Sequence, residues 1–197
     1  MTKNTIQTQD KEYSIAPLKN TLDNINFDKK YYSSYPIFLE FCNNIESFDA
    51  ANLIIAANAS YGWMPTILTI HKKDLSEQVR IVNNLKKKNT IPTADEFTLL
   101  KSTFNNSIVG TSKLLHFINP EIIPIWDSRV SNYLNKNYGF NKRVNTVPKF
   151  IHYLNFCKNI ITNPDFEKLY AQVQEKFEYR VTKLRVLEQI MFHGSKN

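Results

Sequence analysis

The chain of 197 residues carries a formal net charge of +7, from 25 basic and 18 acidic side chains. It is long enough for one domain, or for two small lobes that share a cleft. No apolar run in the sequence approaches the roughly 18 residues that a membrane span needs. Only four glycines are present, which disfavours an all-β fold with many tight turns and favours helices.

The positive charge favours a polyanionic partner, nucleic acid first, although a Lys-, Asn- and Ile-rich composition also arises from AT-rich genomes. The two cysteines lack metal-ligand spacing, so we predict no metal site and expect buried free thiols in a reducing cytoplasm. Residues 1–25 are polar and contain no apolar stretch typical of a signal peptide. We predict a polar N-terminal arm over residues 1–30, partly disordered or draped over a single compact all-α domain of residues 31–197.

Helical periodicity predicts about nine or ten helices and no alternating strand. Pro36 opens a helix, and Asp49 caps the next, which is apolar nearly all round and is predicted to be the buried central helix of the first half. Pro65 suits the first turn of a third helix, and Asp74 begins a fourth.

In the second half, Thr93 and Glu96 have the spacing of a capping box. The helix that they start is followed by a polar turn and by a second helix, so residues 93–118 are predicted to form a helical hairpin. Later helices are predicted from Asp127, from Pro148, and over 165–177 and 179–192. The expected fold is an all-α, two-lobed helical bundle.

The segment from Asn106 to Leu134 carries a family resemblance. It contains a turn with one glycine, Gly110, then a helix with Lys113, and then the sequence Ile-Trp-Asp-Ser-Arg-Val around Asp127. This order resembles the helix-hairpin-helix DNA glycosylases. The resemblance implies that the hairpin turn grips the DNA backbone and that Asp127 is the catalytic carboxylate. It makes Lys113 the nearest match to the nucleophilic lysine of lyase-competent members.

The resemblance implies excision of a damaged or modified base from double-stranded DNA. Breaking the N-glycosidic bond places positive charge on the sugar, which a carboxylate stabilises, and either water or Lys113 then attacks. The expected base pocket comprises Trp126, Trp63, Tyr61 and His116, since aromatic faces stack on an extruded base. The expected DNA-backbone contacts are Ser107, Gly110, Thr111, Arg129, Lys142 and Arg143. We expect a monomer without a cofactor, apart from a possible monovalent cation at the hairpin turn.

Structural roles are the alternatives for the same residues. Asp127 is also suited to be an N-cap, a role that is compatible with catalysis. Lys113 could equally occupy a solvated position on its helix. Trp63 suits core packing, and His116 a partly buried structural role. The basic side chains also serve solubility. At the level of function, the alternatives are a non-catalytic helical nucleic-acid-binding module and a helical interaction protein.

Overall fold

The computed structural model describes residues 13–25 and 33–195, and regular secondary structure there is almost entirely helical. Ten helices occur in the described ranges: α1 (Ala16–Leu22), α2 (Tyr35–Asn44), α3 (Ala50–Trp63), α4 (Ser76–Lys88), α5 (Ala94–Thr103), α6 (Ile108–Ile118), α7 (Ser128–Tyr138), α8 (Val147–Ile161), α9 (Phe166–Gln174) and α10 (Lys183–Gly194). The only β pairing among these residues is one bridge between Ile70 and Phe104, so the predicted all-α class is confirmed. The two-lobed arrangement stays a prediction.

The centre of the fold is α6, which contacts α2, α3, α4 and α5. Nine of its eleven residues are buried. Its small residues let α3 approach closely: a Cβ atom on Gly110 would lie 2.1 Å from Oη of Tyr61. The prediction that α3 is the buried central helix is wrong, since its Ile54 and Ile55 are 37% and 53% exposed.

A second group of helices surrounds α10, which contacts α1, α7, α8 and α9. Ten of the twelve residues of α10 are buried, including charged ones. Helix α1, inside the predicted arm, packs against α10 and buries Leu18 and Leu22. This part of the arm therefore belongs to the core, whereas residues 1–12 and 26–30 of the arm lie outside the described residues.

Local capping contacts determine where several helices begin. Oδ1 of Asp49 accepts the backbone N–H of Asn52 at 2.7 Å, as predicted. Thr93 and Glu96 form the predicted reciprocal capping box. Such caps contribute about 1 kcal/mol each.

Both cysteines are buried free thiols, as expected. None of the described helices is long and apolar enough to cross a membrane.

Residues 64–75 form an irregular loop, so the helix predicted from Pro65 is wrong. The loop is bound to the residues that follow α5, chiefly through Asn105. The backbone N–H of Asn105 donates to the carbonyl of Thr69 at 3.1 Å, and its side-chain Nδ2 donates to the carbonyl of Ile67 at 2.8 Å. Groups that a helix would pair internally are paired with a neighbouring segment instead.

Candidate active site

A cleft of about 290 Å³ is lined by the end of α3, the middle of α6, the start of α7 and one face of α10. Binding clefts for small ligands have volumes of about 300–1,000 Å³, so this one suits a single small molecule or one extruded base. Four residues selected from the sequence line it together: Trp63, Lys113, Asp127 and Arg129. The fold thus brings side chains more than sixty positions apart in the chain to one site.

Asp127 is the N-cap of α7 and lines the cleft at the same time. Its Oδ1 accepts the backbone N–H of Val130 at 2.9 Å, while no described residue donates a hydrogen bond to Oδ2. The positive end of the α7 dipole favours a negative charge at this position. The structural and the catalytic interpretation of Asp127 are therefore compatible: one oxygen caps the helix, and the side chain still reaches the cleft.

Lys113 lies on the same cleft, partly buried, with Nζ 5.8 Å from the centre of the Trp63 ring. Among the described residues, no hydrogen bond or ion pair holds its ammonium group. Burial lowers the pKa of Lys113 and Arg185 lowers it further, against the opposing effect of the nearby carboxylates Asp127 and Glu188. Lys113 is therefore partly withdrawn from solvent and not fully solvated, and a lowered pKa is what an amine nucleophile requires.

Helix α10 supplies the part of the cleft that the sequence analysis missed. Five of its residues line the cleft: Arg185, Glu188, Gln189, Phe192 and His193. Arg185 and Glu188 form an ion pair with side chains that are 2% and 3% exposed. The sequence feature that could have identified these residues is the pair of opposite charges three positions apart, in a helix that was otherwise predicted from its apolar residues.

Arg185 is positioned by aromatic rings from another part of the fold. Its guanidinium carbon lies 4.5 Å from the centre of the Tyr35 ring and 5.6 Å from that of Trp63.

Nε2 of His116 lies 2.7 Å from Oη of Tyr35, and Nδ1 lies 2.6 Å from the carbonyl oxygen of Ile123. Because that carbonyl only accepts, Nδ1 carries the proton, and the Tyr35 hydroxyl donates to Nε2.

His116 was predicted to line the base pocket, and this prediction is wrong. The residue is fully buried, away from the cleft. Burial, with a smaller contribution from the charge of Arg185, lowers its pKa to about 3, so the imidazole is neutral. It supports Tyr35 within the core instead of contacting a ligand.

Two aromatic side chains assigned to the base pocket are also core residues. Trp126 is 1% exposed; its Nε1 donates to the carbonyl of Val144 at 2.8 Å, and its ring packs on Tyr153 with centroids 4.7 Å apart. Tyr61 is 1% exposed and donates its hydroxyl to the carbonyl of Phe104 at 2.9 Å. Neither lines the cleft, so Trp63 is the only one of the predicted aromatic residues that does.

The turn before α6 was predicted to bind DNA phosphate through its backbone amides, but three of those amides are bonded within the protein. Ser107 is the N-cap of α6: its Oγ accepts the N–H of Gly110 at 3.1 Å, and its carbonyl accepts the N–H of Thr111. Oδ1 of Asn145 accepts the N–H of Ile108 at 2.9 Å. Gly110 and Thr111 are buried. These amides are occupied within the protein, so Gly110 serves close helix packing. A monovalent cation at this turn stays a prediction.

The predicted basic contacts occupy two places. Arg129 lies at the cleft with its guanidinium carbon 4.4 Å from the centre of the Phe192 ring. Lys142 and Arg143 are exposed on the loop between α7 and α8. Asn145 joins that loop to the turn between α5 and α6, since its Nδ2 donates to the carbonyl of Asn106 at 3.0 Å.

Within the described residues, no group of histidines, cysteines and carboxylates is arranged to hold a metal ion. Comparison with known proteins gave no match: no family model, no curated protein and no solved structure is significantly similar to this chain.

Proposed function

We propose that this protein is a DNA N-glycosylase, which removes a damaged or modified base from double-stranded DNA. The observation that carries the proposal is the meeting of Asp127 and Lys113 in one cleft that has an aromatic wall at Trp63. A carboxylate that stabilises the sugar and a surface on which the base stacks suit base excision, and an amine beside them suits the lyase form of the reaction.

The chemistry follows from the charges. As the base departs, the deoxyribose acquires oxocarbenium character, and the carboxylate of Asp127 stabilises that positive charge. A unit charge at about 4 Å contributes roughly 4 kcal/mol at the effective dielectric of about 20 that suits protein sites. Either water or the amine of Lys113 then bonds to the anomeric carbon. In the second case the product is a Schiff base, which gives lyase activity.

The size of the cleft supports entry of a base without its duplex. A target nucleotide must leave the base stack to reach Asp127, and its base would lie between Trp63 and Phe192. Unstacking costs a few kcal/mol, and aromatic contacts of about 1–3 kcal/mol per base offset part of it.

The surface beside the hairpin turn supports binding of the duplex. Two asparagines connect the turn to the loop 64–75 and to the loop between α7 and α8. The connected loops expose the basic residues Lys72, Lys73, Lys142 and Arg143. Since the amides of Ile108, Gly110 and Thr111 are occupied, side chains of these loops would hold the phosphates. On the same loops, Ile67 is 89% exposed and suits the gap that an extruded nucleotide leaves.

The experiment compares two aspartates that cap helices in the same way. Purified protein is incubated with duplexes that each carry one modified base, and abasic sites are measured by strand cleavage in alkali. Asp127→Asn keeps an oxygen for the cap but loses the charge, so we expect a rate about a thousandfold lower for a loss of roughly 4 kcal/mol. Asp49→Asn, which changes a cap on α3 outside the cleft, should leave the rate unchanged.

Full activity in Asp127→Asn would reduce Asp127 to a capping residue and refute its catalytic role, whereas wild-type protein that removes no base from any duplex would refute the proposed function. Salt-dependent DNA binding without turnover of any base would instead indicate the non-catalytic module. Treatment with borohydride during the reaction tests Lys113, because a Schiff base is reduced to a stable protein–DNA adduct that Lys113→Ala would not form.

A further inference from the structure

The proposed reaction leaves one chemical requirement without a residue. Asp127 stabilises the sugar, but a neutral base that departs from it carries away an electron pair and becomes an anion. Protonation of the leaving group removes this cost, and a positioned acid contributes about 10²–10⁴-fold to such reactions.

A second carboxyl group is available in the cleft. Glu188 lines the cleft from α10. It lies about sixty positions after Asp127 in the chain, but both carboxyl groups line the same cleft. Both of its hydrogen bonds fall on Oε2, from Nη1 of Arg185 and from Nε2 of Gln189, the latter at 2.8 Å. No described residue donates to Oε1. One oxygen is therefore held by two donors, and the other remains available to a ligand.

We infer that Glu188 is the general acid of this site and donates a proton from Oε1 to the departing base. The assignment rests on the proposed glycosylase function and goes beyond it, because it names a second catalytic residue and a class of base. That class comprises bases that are neutral in DNA and have a ring nitrogen or carbonyl oxygen to accept the proton.

The surroundings of Glu188 suit an acid. Burial raises the pKa of its carboxyl group, and the negative charge of Asp127 raises it further, whereas Arg185, Gln189 and Lys113 lower it. The other titratable groups that interact with it are Tyr35, Tyr153 and Cys157. A buried ion pair contributes little net stability because desolvation offsets its attraction. Because both donors contact Oε2, Oε1 can carry the proton before the reaction, and Arg185 pairs with the carboxylate that forms when the proton is transferred.

The proposed step transfers one electron pair and one proton to the base. The bond from the anomeric carbon to the base nitrogen breaks, its electron pair goes to the base, and the proton on Oε1 of Glu188 bonds to the base. The carboxylate that remains is stabilised by its hydrogen bonds from Arg185 and Gln189. Water or the amine of Lys113 bonds to the sugar, and the proton that this nucleophile loses returns to Glu188.

The test uses the charge of the leaving group. Three duplexes carry one hypoxanthine, one uracil or one 7-methylguanine each. The first two bases are neutral and leave as anions unless they are protonated, whereas 7-methylguanine is already cationic in DNA and leaves as a neutral molecule. Glu188→Gln should slow removal of the neutral bases about a hundredfold or more, with less than about a tenfold effect on 7-methylguanine. Asp127→Asn should slow all three, and Glu175→Gln, at an exposed position at the C-terminal end of α9 that does not line the cleft, should slow none.

A second readout uses the intact protein. The rate for a neutral base should fall as the pH rises through the pKa of Glu188, and the carboxyl carbon of Glu188 should titrate by NMR above the ordinary range of glutamate. This measurement stands even if Glu188→Gln is unstable.

Three results would overturn the assignment: equal losses in Glu188→Gln for cationic and neutral bases, removal of 7-methylguanine alone by the wild-type protein, and titration of Glu188 at or below the ordinary value. Inactivity toward every base would refute the proposed function, and the assignment would fall with it.

Discussion

Replacing Gly110 with alanine tests whether this glycine serves helix packing or DNA binding. The new Cβ would lie 2.1 Å from Oη and 2.2 Å from Cζ of Tyr61, both far inside van der Waals contact. Tyr61 would have to move, because the clash falls on its ring and not on a flexible end. Moving it breaks the hydrogen bond of its hydroxyl to the carbonyl of Phe104, which is 2.9 Å long.

The magnitude follows from three contributions. Overpacking of a core costs about 1–3 kcal/mol, and the lost hydrogen bond about 1 kcal/mol. Alanine regains up to about 1 kcal/mol of helix propensity over glycine. The net loss of stability is therefore about 1–3 kcal/mol, and each kcal/mol lowers the melting temperature by about 2–4 °C in a chain of this size.

The assay is urea unfolding followed by circular dichroism, with two further variants. Gly62→Ala is the matched control: it lies on α3, and a Cβ there has no neighbour within 4 Å, so we expect no loss of stability and a gain of at most about 1 kcal/mol. Tyr61→Phe combined with Gly110→Ala should not restore stability, since Cζ remains 2.2 Å from the added carbon. A Gly110→Ala protein as stable as wild type but weaker in DNA binding would refute the packing argument and restore the phosphate role.

Two further predictions follow from side chains at opposite extremes of burial. Ile67→Ala should leave stability within about 0.5 kcal/mol, as exposed substitutions do, because the side chain is 89% exposed. Ile67→Ala should slow excision from a paired duplex more than excision from a single strand. If Ile67→Ala and the wild-type protein excise from the duplex at the same rate, Ile67 has no role in extrusion. For His116, the folded-state pKa is lowered to about 3, so the unfolded chain takes up the proton first as the pH falls below about 6.5. Stability present at pH 7 should therefore decline toward pH 5 relative to His116→Asn, by up to about 1.4 kcal/mol per pH unit. A pH-independent difference between the two proteins in urea unfolding would show that the imidazole is not buried in its neutral form.

Local features of the fold were predictable because the interactions that create them span a few residues. The N-caps at Asp49 and Asp127 act on the amide three positions on, and the capping box of Thr93 and Glu96 has the same span. The loop after Pro65 was not predictable in this way. Its partner, Asn105, lies about forty positions later in the chain and acts only after the two segments meet.

The sequence by itself determined an all-helical chain, the starts of several helices and the candidacy of Asp127 and Lys113. Only the tertiary structure decided which neighbours these residues have. Trp126 adjoins Asp127 in sequence, but side chains of an extended segment point alternately to opposite sides, so Ile125 and Asp127 line the cleft while Trp126 is buried in the core. Glu188 reaches the site from the last helix by packing alone. Periodicity and capping are properties of short segments, whereas a catalytic site is formed by the long-range packing that brings those segments together.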